Sequence, residues 1–96
     1  MDKKPVPYEW MMMIHLFAHT NNYDLDALKE GLQLEPEWSE IIRRNFDEVL
    51  EKRLVTLEWY DKHANHGLDD EETLYRYLQE MYDYLFNDGP LPESGY

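Results

Sequence analysis

Between Pro36 and His63 apolar residues recur at helical intervals, as Trp38, Ile42, Phe46, Val49, Leu50, Leu54, Leu57 and Tyr60. That period belongs to a helix, and no stretch of the chain alternates in the two-residue manner of a half-buried strand. The stripe therefore restricts the chain to helical architecture. Pro36 stands where a first-turn proline costs nothing, and His63, Asn65 and Gly67 supply a stop. One helix of roughly 28 residues, on the order of 40 Å long, is predicted there.

Shorter segments flank it. Pro7 can open a helix, and Tyr8 to about His19 is apolar almost all round, the pattern of a buried helix. Asp24 is a good N-cap for a short segment that places Leu25, Leu28 and Leu32 on one side, with Gly31 expected to end it. Asp69 followed by Glu72 has capping-box spacing, and Asp70, Glu71 and Glu72 fall in a first turn where they complement the helix dipole. Leu74, Leu78, Met81 and Leu85 then mark a buried face, and Gly89 and Pro90 end it. Residues 1–7 read as an N-terminal arm and 89–96 as a C-terminal tail. A chain of 96 residues supports one hydrophobic core, so 1–96 is expected to be a single all-α domain. The expected form is a small bundle of three to four helices with one long central helix.

Several functions are disfavoured by residue type. The chain has no cysteine, which excludes disulfides, thiolate zinc sites and thiol nucleophiles. Thr20, Ser39, Thr56, Thr73 and Ser94 lack a nucleophile-elbow context, and no glycine-rich phosphate loop exists, so an enzyme is not expected. His15 and His19 stand four apart, a spacing that can chelate a metal, but no H-E-x-x-H pattern surrounds them. Asn22, Asp24 and Asp26 lack the glycine and the bidentate glutamate of a calcium loop. No metal and no cofactor is expected. The run Trp10–Ile14, His15, Leu16–Ala18 is far shorter than the about 20 residues that span a bilayer, and it is no secretory leader. The sequence thus reads as cytoplasmic.

Charge carries the functional reading. Acids outnumber bases 21 to 9, for a net charge of -12, which disfavours direct contact with nucleic acid or anionic lipid. Residues 64–96 hold eight acids and one base, so more than half of the excess lies in the last third. Acids at a helix start are often only caps on a solvated face. The sharper reading is a docking surface for a basic protein: Asp69, Asp70, Glu71, Glu72, Glu80 and Asp83 supply the field, and Tyr75 and Tyr82 supply anchoring area. A second apolar line, Ile41, Val55 and Trp59, lies away from the main stripe and is expected to be covered either by the apolar first helix or by a second subunit, as the seam of a homodimer. Arg53 projects from the middle of the main stripe, where it needs a carboxylate partner or must snorkel to water, and structural pairing is the expected role. In size and charge the chain is similar to small acidic helical inhibitors: immunity proteins that neutralise nuclease toxins, and phage-encoded proteins that imitate DNA. The resemblance implies a non-catalytic protein that neutralises or inhibits a basic partner, with a homodimeric structural or regulatory module as the alternative.

Overall fold

The computed structural model describes residues 5–19, 21, 23–65 and 67–92. Most of the arm, Thr20, Asn22, His66 and tail residues 93–96 lie outside them. Among the described residues five α-helices follow in order: α1 (Tyr8–Met13), α2 (Leu25–Leu34), α3 (Pro36–Lys52), α4 (Leu57–Ala64) and α5 (Glu71–Phe86). A π-helical segment, Ile14–Ala18, continues α1. No strand occurs among the described residues, and the fold is all-α. No helix among them is long and apolar enough to cross a membrane.

One core joins every helix. Phe46 of α3 is its hub, its ring centroid 5.4 Å from that of Trp10 in α1 and 5.4 Å from that of Tyr82 in α5, both nearly perpendicular to it. Tyr60 of α4 and Tyr77 of α5 are fully buried, 6.2 Å apart and steeply inclined. Offset and edge-on ring pairs of this kind bury large apolar area while keeping ring edges against ring faces.

The predicted helix over 36–63 is in fact two. Arg53 turns into the left-handed region (φ 50°), and Val49 O accepts from the N–H groups of Arg53 and Leu54 to close α3. Thr56 then caps α4, its hydroxyl accepting from Trp59 N at 2.9 Å. Between these ends Val55 is fully buried yet outside any helix, so its backbone groups need other partners. The phenol of Tyr75 supplies both: it donates to Val55 O at 2.6 Å and accepts from Val55 N at 3.1 Å. The apolar stripe continues through the break because both helices face one core.

Three smaller expectations shift. α2 runs through Gly31 to Leu34 and stops because Glu35 precedes Pro36, which excludes a helical conformation there. The cap of α5 is Asp70 rather than Asp69, with Thr73 N donating to its carboxylate at 2.8 Å. The first helix is not buried all round: Trp10, Met13, Ile14 and Ala18 face inward, while Tyr8 and Leu16 are 65% and 55% exposed. Asp24 caps α2 as expected, accepting from Ala27 N.

Candidate acidic binding surface

Breaking the long helix reorients a pair of carboxylates. α4 starts afresh at Leu57, so Glu58 and Asp61 lie one turn apart on a short helix. The connection back to α5 passes Asn65, in the left-handed region at φ 54°, then Gly67 and Leu68. Leu57, Glu58, Asp61, Gly67 and Leu68 together line an open, shallow cleft of about 520 Å³. Its floor is apolar, from two half-buried leucines, and its rim carries two exposed carboxylates. Asp69, Asp70, Glu71 and Glu72 follow directly in the chain, all exposed.

These carboxylates are not equivalent. Asp70 is committed to its cap: the amide and hydroxyl of Thr73 hold its carboxyl below the ordinary aspartate range. Glu71 pairs with Arg53 at 3.1 Å, and the Arg53 guanidinium also lies 4.3 Å above the Tyr75 ring. Arg53 thus has the carboxylate partner its position called for. Among the described residues Glu58, Asp61, Asp69 and Glu72 enter no ion pair. Most of the described bases, by contrast, are engaged elsewhere: Arg43 and Arg44 on Glu40, Lys52 on Glu48, Lys29 on Asp88. Counting Glu58, Asp61 and Asp69 through Glu72 against Arg53, Lys62 and Arg76, this end keeps six acids to three bases.

The remaining sequence-predicted partner residues do not join it. Asp83 lies 12 residues beyond Glu71 on the same helix, about 18 Å along its axis. There its carboxylate accepts from Asn87 Nδ2 and Gln79 Nε2, and its carbonyl accepts from the amides of Asn87 and Gly89. Asp83 finishes the helix. Glu80 is half-buried between these ends. Tyr75, expected to be an exposed anchor, is 9% exposed and spent on Val55. Tyr82 is half-buried against Phe46 and Phe86, and burial together with a hydrogen bond to Asp47 pushes its phenol up. Tyr84 donates to Asp26, which raises its phenol to about 12.

The expected seam also separates. Val55 is fully buried within one chain, Trp59 is half-buried 6.0 Å from Trp10, and Ile41 alone is substantially exposed, at 44%. Leu34, 73% exposed at the end of α2, and half-buried Trp38 are apolar residues near Ile41 in the chain that also keep exposed surface. His15 and His19 do not act as a pair: His15 bonds His63, and His19 Nδ1 accepts from Asn21 N. No group of three or more metal-ligating side chains occurs among the described residues.

Sequence reasoning missed Glu58 and Asp61 because it placed them inside a continuous helix. The available signal was Thr56, a cap-forming residue followed directly by Leu57 and Glu58. No family model, no curated protein and no solved structure matches this chain.

Proposed function

We propose that this is a non-catalytic acidic binding protein whose α4–α5 end sits on the cationic surface of a basic protein and thereby neutralises or inhibits it. A nuclease toxin or a nucleic-acid-binding protein has the required surface. The observation that supports the reading is Glu58 and Asp61 on the apolar-floored cleft, with exposed Asp69 and Glu72 following Leu68 in the chain, none of the four in an ion pair among the described residues. Arginine or lysine suits such a place, because its methylene stem covers apolar surface while its head meets carboxylates. Carboxylates held in this way steer association and act most strongly at low salt.

An oligo-arginine peptide titrated into labelled protein tests the assignment. Amide shifts are expected to concentrate at 57–61 and 67–72 and to fade as salt rises. Shifts spread evenly over the acidic surface, or gathered at Asp24, Asp26 and Glu30 on and beside α2, would overturn it.

The exposed Leu34 and Ile41 favour a second reading, a homodimer closed over the α2–α3 corner. Sedimentation of the wild type against Ile41→Glu separates the two, since only a dimer dissociates on that substitution without unfolding.

A further inference from the structure

His15 lies in the π-helical segment and His63 in the last turn of α4, 48 residues apart in the chain. Their rings meet edge to face, centroids 5.2 Å apart, with His15 Nε2 3.1 Å from His63 Nδ1. The indole of Trp59 stacks on the His63 ring, centroids 4.2 Å apart and inclined by 24°. The pair is a polar link between two elements that are packed against each other. π-helical turns are uncommon and recur where a side chain is held for a purpose.

We propose that this hydrogen bond is a proton-operated latch between the π-helical segment and α4, closed while the pair carries at most one added proton and open when it carries two. The argument is one of donors and acceptors. A neutral imidazole has one N–H and one bare nitrogen, whereas an imidazolium has two N–H groups and no acceptor. With both rings neutral, one facing nitrogen donates to the other. With one ring protonated the bond persists and is charge-assisted. With both protonated, two N–H groups confront each other across 3.1 Å between two positive rings, and the contact cannot survive.

The surroundings favour opening over rescue. Among the described residues, the charges that bear on His63 are those of His15, across the join, and Lys62, on its own helix. Burial, then His15, then Lys62 all hold its imidazole below the ordinary value of 6.5, and no described carboxylate offsets them. α2 brings Asp24 to the Leu16–Phe17 side of the π-helical segment, and on α1 the carboxylate is exposed Glu9. On α4 Glu58 and Asp61 are exposed at the cleft described above. The folded chain therefore takes up the His63 proton at lower pH than the unfolded chain does. The sign follows: one added proton leaves the bond in place, and the join opens as pH falls below 6.5 through the lowered folded-state value of His63, where the second proton enters. Opening loosens α4, the helix that carries Glu58 and Asp61, but the latch does not depend on what that cleft binds.

The test is a pH titration of the full chain by NMR, following the histidine ring signals together with amide hydrogen exchange corrected for the intrinsic rate. His63 is expected to titrate below 6.5 in the wild type and to move upward in His15→Gln, which removes the opposing charge. Protection at 14–18 and 57–64 should fall about tenfold or more between roughly pH 7.5 and pH 5. In His63→Gln the fall should vanish, because an amide donates and accepts at every pH. Independent titration of both rings at the ordinary value, or protection that is level across the range, overturns the latch. If either glutamine variant fails to fold, the wild-type titration and exchange decide alone.

Discussion

The first turn of α5 and the tyrosine-bearing remainder of the same helix use polar side chains in opposite ways. In the first turn the carboxylates are exposed, and Asp69, just before it, and Glu72 enter no ion pair among the described residues. Beyond it the tyrosines are drawn inward: Tyr75 onto Val55, Tyr77 onto Tyr23 at 2.9 Å, Tyr84 onto Asp26. Burial pushes the Tyr77 phenol far above its ordinary value, as fits a hydroxyl held inside the protein. Charge and aromatic area, adjacent in the sequence, are thus divided between two tasks. The aromatic residues hold the helices together, and the carboxylates are left to act outward. The proposed basic partner would meet a field with a small apolar cleft, a combination that favours fast, salt-sensitive association over a deep anchor.

The comparison breaks first at Tyr75. Tyr75→Phe keeps the ring and strands the buried N–H and C=O of Val55, so it should cost about 2–3 kcal/mol in urea unfolding while leaving oligo-arginine shifts in place. If Tyr75 were a binding anchor, the order would reverse: little loss of stability and a clear loss of binding. Next in size is the opposite substitution set. Glu58→Gln, Asp61→Asn and Glu72→Gln together should slow association with a basic ligand by roughly tenfold at low salt, flatten its salt dependence and leave the unfolding midpoint nearly unmoved. Smaller again is Tyr82→Phe. Its hydroxyl lies near Asp47 and Arg43 at a half-exposed position, where water replaces a lost partner, so urea unfolding should shift by at most about 1 kcal/mol.

What the chain declares about itself divides along a similar line. Helical class, the cap at Asp24 and the inward faces of α3 and α5 follow from local spacing, because an apolar stripe has one way to be buried. Gly31 and Arg53 show where local reasoning ends. Gly31 looked like a stop and is helix interior, since Pro36 sets the stop instead. Arg53 looked like helix interior and is the stop, because a phenol 20 residues away satisfies the backbone that the break leaves open. Nothing near Val55 announces that partner. The acidic cleft was hidden for the same reason, since it exists only once α4 begins afresh. His15 likewise found its partner 48 residues on rather than four, a pairing that only packing of the π-helical segment against α4 creates.

The finest test of the division lies inside the first turn itself, between Asp70 and its neighbours. Asp70 faces its own helix, and the Thr73 amide and hydroxyl hold its carboxyl below the ordinary 3.8 of an aspartate. A depressed folded-state value means that the unfolded chain binds the proton first. The stabilising contribution is therefore complete above about pH 4 and is lost as pH falls through the folded-state value. Asp70→Asn retains a side-chain oxygen for the cap and removes the titration. Its urea midpoint should lie slightly below that of the wild type at neutral pH and converge on it as pH falls through the lowered folded-state value, with salt shrinking the gap because the site is exposed. Glu72→Gln, which removes an equally exposed carboxylate without a cap, should show a smaller change across that window. Equal pH dependence in the two variants would mean that the whole turn acts as one diffuse charge, and that the separation of capping from outward-facing carboxylates does not hold.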